Sequence, residues 1–298
     1  MGAFSAGTLI TLAVILGVSA VMSGLSGFGF SAIGALCLWL LPPQLGVPLL
    51  MTLSVGNQLV SLRQLEADMK PLRTGWPGGA GPYLLGGVAG VPLGLTILHS
   101  LPTVQLMAVF GAFLVLYATY SLLKTEGALL AARTVGPDGL TPGEPWAFRA
   151  LHGWHGASLK EGWLMPLLVG ATGGVIGGFT AFPGAAVVVW CGLRRLPKSE
   201  SRAIVQPYIL GLQLLSLTML ALEHPGTFDA DYWRLLLVLL PIVAPCTLIG
   251  VTLYRALSDV NFRRVTFMLL GTSGLGLLAK ALGAVALFTA VAGAAAAR

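Results

Sequence analysis

Apolar positions run in long blocks along this chain, and polar residues gather between them. The first block covers about 5–24, is interrupted by Gly24, Gly27 and Gly29, and gives way to a short block over about 30–41 that stops at Pro42-Pro43. Further blocks cover about 46–62, 78–98 and 103–123. A stretch rich in Gly, Pro, Trp and His occupies about 124–162, and then the pattern restarts. A block over about 163–178 breaks around Gly178 to Gly184, and a very short one over about 184–193 ends at Arg194-Arg195. Blocks over about 203–222, 233–254 and 265–280 follow, with Lys198 and Arg202 read as loop residues before the first of them. Blocks of about 20 residues match roughly 30 Å of hydrocarbon. Several in series predict a helix bundle, because only helices and closed barrels satisfy backbone groups in lipid. The strand alternation of a membrane barrel is absent. The expected fold is an all-α integral membrane protein of about ten transmembrane or re-entrant segments in two inverted five-segment repeats. The expected parts are a first membrane repeat over 1–124, a cytoplasmic linker over 125–162 and a second membrane repeat over 163–298.

The repeat rests on residues as well as on block order. Gly94-Leu-Thr-Ile-Leu-His-Ser-Leu101 matches Gly250-Val-Thr-Leu-Tyr-Arg-Ala-Leu257, with Gly, Thr and Leu in common, and the spacing gives a period of about 155 residues. Weak internal symmetry of this kind is a trace of transporter repeats. Five is odd, so the second half must be inserted upside down relative to the first. With the N-terminus outside, the inner loops 63–77, 124–162, 194–202 and 255–264 hold 14 of the 17 Lys and Arg. The outside keeps Arg234, Lys280 and Arg298, and its loop 223–232 is acidic. That is the positive-inside pattern, and it points to a multi-pass protein of a bacterial inner membrane. The Ala-rich stretch 281–297 either extends the last helix or folds back.

Composition agrees: 56% of residues are hydrophobic and 9% charged, against about a quarter charged in a soluble domain. The net charge of +6 belongs to the short inner loops, so nucleic acid is not expected as a partner. Cys37, Cys191 and Cys246 lie in apolar blocks without metal-ligand spacing. His152-x-x-His155 lacks further ligands. No basic region precedes the first block, which reads as a membrane helix rather than a cleaved signal. Nucleophile-elbow and nucleotide-binding signatures are missing. No enzyme, cofactor or metal is expected. No Asp, Glu, Lys or Arg falls in the middle of a predicted segment, unless the last helix is long enough to bury Lys280, so a buried proton relay is not expected either.

The arms of 163–193 average about 15 residues, or about 23 Å at 1.5 Å per residue, too short for two crossings. They predict a hairpin with its tip inside the membrane, and the second arm of 5–41 is short in the same way. Hairpins entering from opposite faces bring two broken helix ends together. Each helix N-terminus carries roughly half a positive charge, which makes an anion site without a charged side chain. Backbone N–H groups over Gly27, Phe28 and Gly29 and at the helix start that Pro183 opens, those of Gly184 and Ala185, are the candidate donors, with hydroxyls from Ser26, Ser31 and Thr180. The competing reading is that these glycines serve close helix packing. The third segment of each half carries amides: Asn57 and Gln58 in the first, Gln206 and Gln213 in the second. Amides facing lipid are costly, so they should face inward, either to bond between helices or to touch a substrate.

Ser23-Gly-Leu-Ser-Gly-Phe-Gly-Phe-Ser31, Gly178-Phe-Thr-Ala-Phe-Pro-Gly184 and the Gly94 and Gly250 regions together resemble the sulfite exporter TauE/SafE family over almost the whole chain. Ala181 and Pro183 stand where glycines are common in that pattern. The resemblance implies an integral membrane permease associated with export of sulfite, sulfoacetate and related sulfur oxyanions. It carries the hairpin role onto Gly24, Gly27, Gly29 and Gly184. The expected partners are a small anionic substrate, the lipid bilayer and, as one option, a second copy in a homodimer. The alternatives are a non-transporting membrane scaffold and a carrier of another small anion, a cation or a neutral metabolite.

Overall fold

The computed structural model describes residues 4–34, 36–37, 40–65, 79–100, 104–105, 108, 111–112, 114–123, 163–180, 182–194, 196–223 and 225–296, with the backbone alone at 43–44, 95–100, 179–180, 259, 263 and 284–296. The linker, with its two histidines, lies outside them. The first half holds α1 (Ala6–Ser26), α2 (Phe30–Gly34), α3 (Pro43–Gln64), α4 (Gly81–Ser100) and α5 (Leu114–Leu123). The second holds α6 (Leu164–Thr180), α7 (Gly184–Leu193), α8 (Lys198–Glu223), α9 (Ala230–Ala256) and α10 (Asp259–Ala296). No strand occurs among the described residues. α1, α3, α8, α9 and α10 are long and apolar enough to cross a membrane.

Local chemistry sets the helix ends. Ser5 caps α1 by accepting from the Thr8 N–H at 3.1 Å. Asp229 caps α9 through the Tyr232 N–H at 2.9 Å. Both satisfy N–H groups that a helix start leaves unpaired. Pro42 and Pro43 start α3, where the missing N–H of proline is harmless. Side chains such as Ile10, Val14 and Leu237 stand exposed along the middle of α1 and α9, as lipid-facing positions do.

Glycine brings two helix pairs close together. On α4, Gly86, Gly90 and Gly94 lie against the Leu167, Ala171 and Val175 carbonyls of α6. Gly170 and Gly174 of α6 lie in turn against Tyr83 and Gly87. On the other side Gly24 of α1 meets Thr247 and Gly250 of α9, and Gly250 lies against the Val21 carbonyl. At all of these positions a Cβ would strike backbone, so glycine is required for the approach. The packing reading therefore holds for Gly24.

Loop ends meet in two groups. Leu65, Ala203, Val251, Tyr254 and Phe262 form one apolar cluster, beside which Arg255 Nη2 donates to the Gln64 carbonyl at 2.8 Å. Leu41, Leu49 and Tyr232 belong to another cluster with Leu12 and Leu16. The ends of α3, α8 and α9 that carry cations thus lie together, away from the Asp229 end.

Two expectations are corrected or resolved. α8 begins at Lys198, five residues earlier than the apolar block suggests. Arg202 is therefore a helical residue, 1% exposed, rather than a loop residue. At the other end, α10 runs unbroken to Ala296 over 38 residues. The stretch after 280 extends the helix, which is about 57 Å long at 1.5 Å per residue. Lys280 is exposed, about 32 Å from the helix start, roughly one bilayer thickness away.

Candidate functional site

The first break follows from Gly27. Its φ of 88° is left-handed, and its N–H returns to the Ser23 carbonyl at 2.6 Å. This is a glycine helix end. The chain restarts at Phe30, and Ser26 fills the gap: its Oγ accepts from the N–H groups of Phe28 at 3.4 Å and Gly29 at 3.2 Å. The backbone donors of Gly27, Phe28 and Gly29 are thus engaged within the chain in this conformation. Ser31 is buried at the start of α2.

At the second break Pro183 caps α7, and Gly184 and Ala185 open it, both buried. Gly177 lets α6 pass close to Pro183, where a Cβ would lie 2.6 Å from the proline Cβ. The Thr180 side chain lies outside the described residues. The breaks meet. The Phe28 and Phe182 rings stack at 6.2 Å with 28° between planes. A Cβ on Gly184 would sit 2.5 Å from Ile209 Cδ1 and 3.7 Å from Phe28 Cβ.

The side chains at the first break come from α3 and α8. Asn57 ties three helices: its Nδ2 donates to Ser23 Oγ at 2.7 Å, and its Oδ1 lies 2.8 Å from the Thr247 hydroxyl of α9. Gln58 Nε2 donates to the Gly27 carbonyl at 3.0 Å. Gln206 Nε2 donates to Ser61 Oγ at 2.9 Å. Gln58 and Gln206 keep their Oε1 atoms buried and unpaired. Gln213, 2% exposed, has both amide atoms unpaired. The structure gathers Gly27, Gln58 and Gln206 around one point, and Phe28 joins them to Gly184. Gln213 lies two turns along the α8 face that bears Gln206.

Arg202 is the residue that the sequence pattern hides. Its Nη1 donates to the Leu25 carbonyl at 3.0 Å, and its Nη2 donates to Ser61 Oγ at 2.8 Å and to the Gly24 carbonyl. Its Cζ lies 4.2 Å from the Tyr254 ring centre. None of these partners is a carboxylate. Its Nε is buried and unpaired, 3.6 Å from where a Gly27 Cβ would be. Lys198, one turn earlier, lies 4.9 Å from the same ring and donates to the Tyr254 and Leu257 carbonyls. The signals that mark Arg202 as helical are Pro197 before Lys198 and Glu200 in the first turn.

The sequence that builds these two breaks matches a known family model over residues 9–277. The chain belongs to the sulfite exporter TauE/SafE family. The match takes in both breaks, every amide described above and Arg202. Membership places the chain among multi-pass membrane permeases rather than enzymes. No curated protein and no solved structure matches the chain.

Proposed function

We propose that the chain exports a small sulfur-containing anion, sulfite or an organosulfonate such as sulfoacetate, by alternating access between two inverted five-segment repeats. The observation that carries this reading is Arg202: a buried guanidinium without a carboxylate partner among the described residues, next to a helix break inside the bundle. A buried ionisable side chain in a membrane bundle is costly and marks a substrate or ion path. Of the five N–H bonds of a guanidinium, three are engaged, all by neutral oxygens. The site therefore carries an excess positive charge that an anion neutralises.

Two relations support the inverted repeat. Gly250 lies against the Val21 carbonyl and Gly94 against the Val175 carbonyl, so the fourth segment of each half holds the first segment of the other. Gly56-Asn57-Gln58-Leu59-Val60-Ser61-Leu62 and Gly211-Leu212-Gln213-Leu214-Leu215-Ser216-Leu217 share Gly, Gln, Leu, Ser and Leu at the same spacing, 155 residues apart. A cation carrier that uses carbonyls at a helix C-terminus fits less well, because Arg202 and Gln58 already hold the carbonyls of Gly24, Leu25 and Gly27.

Export follows from the membrane potential. At 100 mV, inside negative, each negative charge leaves with a gain of about 2.3 kcal/mol. The test is efflux of sulfite or sulfoacetate from liposomes holding the purified protein, under an imposed potential and with no pH gradient. Flux that follows the potential and is lost in Arg202→Gln is expected. A non-transporting scaffold gives no flux at any potential.

A further inference from the structure

Around Gly27 the described residues supply one positive charge held only by neutral oxygens and two unused amide oxygens. Gln58 gives its Nε2 to the Gly27 carbonyl at 3.0 Å. That bond fixes the amide, since turning it would set two carbonyl oxygens against each other. Its Oε1 is left buried with no donor, and so is that of Gln206, whose Nε2 is held by Ser61 Oγ at 2.9 Å. In the same shell Arg202 keeps its Nε–H unpaired. An unpaired polar atom costs free energy in an apolar interior and is rarely left so. The shell thus calls for a ligand that accepts from a guanidinium and donates to an amide carbonyl.

A fully ionised oxyanion only accepts. It gains from Arg202 and is repelled by the Gln58 and Gln206 oxygens. Among the described residues a second negative charge would also find no second cation, because Lys198 is turned to the Tyr254 and Leu257 carbonyls. An oxyanion that retains one proton has an end for each partner. We propose that this site selects singly charged oxyanions that still carry a proton, hydrogensulfite in the case of sulfite, over dianions. The inference rests on the permease reading above and specifies the substrate form at that same site. Among the described residues, the titratable groups facing it are Arg202 and Lys198 of α8 and Tyr254 of α9. None is a carboxylate or a histidine, so the pH dependence belongs to the ligand.

The experiment is calorimetric titration of the purified protein with three anions across the second ionisation of sulfite, with a melting curve at each pH. Sulfate supplies a permanent dianion, and methanesulfonate a singly charged anion without a proton. The apparent affinity for total sulfite is expected to fall about tenfold per pH unit above that ionisation. Sulfate and methanesulfonate are expected to bind about ten- to hundredfold more weakly than hydrogensulfite, the worth of a hydrogen bond to a charged group. Gln206→Leu, which leaves the Gln58 bond to Gly27 in place, should narrow the gap between hydrogensulfite and methanesulfonate, whereas Arg202→Gln weakens both. Sulfite affinity independent of pH, or sulfate bound as tightly as hydrogensulfite, overturns this inference and leaves the permease reading standing. Absence of binding by every anion at every pH, in protein that melts normally, overturns both.

Discussion

Arg202 Nη1 and the carbonyl of Leu25 are 3.0 Å apart in space and 177 positions apart in the chain. The bond ties the start of α8, in the second half, to the end of α1, in the first. A helix C-terminus carries roughly half a negative charge, so α1 supplies Arg202 with a partial counter-charge. A whole negative charge on an anion is a stronger competitor for the same guanidinium. Binding at Arg202 therefore bears directly on how firmly α1 is held.

Arg202→Lys keeps the charge but loses the planar fork that reaches two carbonyls and a hydroxyl together. The expected outcome is a folded protein with anion affinity lowered about ten- to hundredfold, one charge-assisted hydrogen bond being worth about 1.5–3 kcal/mol. Arg202→Gln is expected to lose transport. If Arg202 served only as a cap for α1, the folded variants would melt earlier yet bind anion normally. Titration and melting curves on the same samples separate the two roles.

Gly27→Ala meets two obstacles. An L-residue at a φ of 88° costs about 1–2 kcal/mol. The new Cβ would also sit 3.3 Å from the Cγ atoms of both Arg202 and Gln206. Gly29→Ala meets only tight contacts, 3.2 Å to Ser26 Oγ and 3.3 Å to Leu269 Cδ1. Gly27→Ala should therefore lower both melting temperature and anion affinity more than Gly29→Ala does. A larger loss for Gly29→Ala would mean that the corner at Gly27 is not what shapes the site.

The breaks were legible because glycine and proline at the ends of arms too short to cross a bilayer leave few other structures. The grouping of amides was legible because a neutral amide in an apolar block must face inward. Their division of labour was not. Asn57 bonds between helices, Gln58 holds a backbone carbonyl and Gln213 bonds to nothing, a difference that depends on what α1 and α9 bring to each position. Arg202 was hidden because Arg194, Arg195 and Lys198 precede it, so hydropathy merges it with the loop. Its burial comes from the end of α1 and from Tyr254, remote partners that a local window cannot see. The free N–H groups expected near Gly27 are likewise taken by Ser26, whose side chain folds back across the gap.

Orientation in the membrane has a direct test. Gly226 is open to its surroundings, with no atom within 4 Å of an added Cβ, and Ser258 is exposed at the opposite end of α9. Gly226→Cys is expected to react with an impermeant thiol reagent in intact cells, and Ser258→Cys only after the cells are opened. The native Cys37 and Cys191 are buried within the bundle and should stay silent. Labelling of Ser258→Cys from outside would invert the arrangement.

Gln213 gives the sharpest contrast between stability and transport. Both ends of its amide are buried without a partner, a state that costs about 1–3 kcal/mol by mutational measure. Leucine is apolar and of similar volume, so Gln213→Leu removes that cost and leaves no new donor unpaired. On stability alone the substitution should raise the melting temperature. Gln213 nevertheless stands at the position that Gln58 holds in the first half, on the α8 face where Arg202, Gln206 and Ile209 precede it at helical spacing. A side chain kept at a cost to stability in that place is expected to meet the substrate on its way through. Transport by Gln213→Leu in liposomes should then fall while its melting temperature rises, with binding at Arg202 little changed. A variant that is more stable and transports at the normal rate would remove Gln213 from the path and leave it an unexplained polar residue in the core.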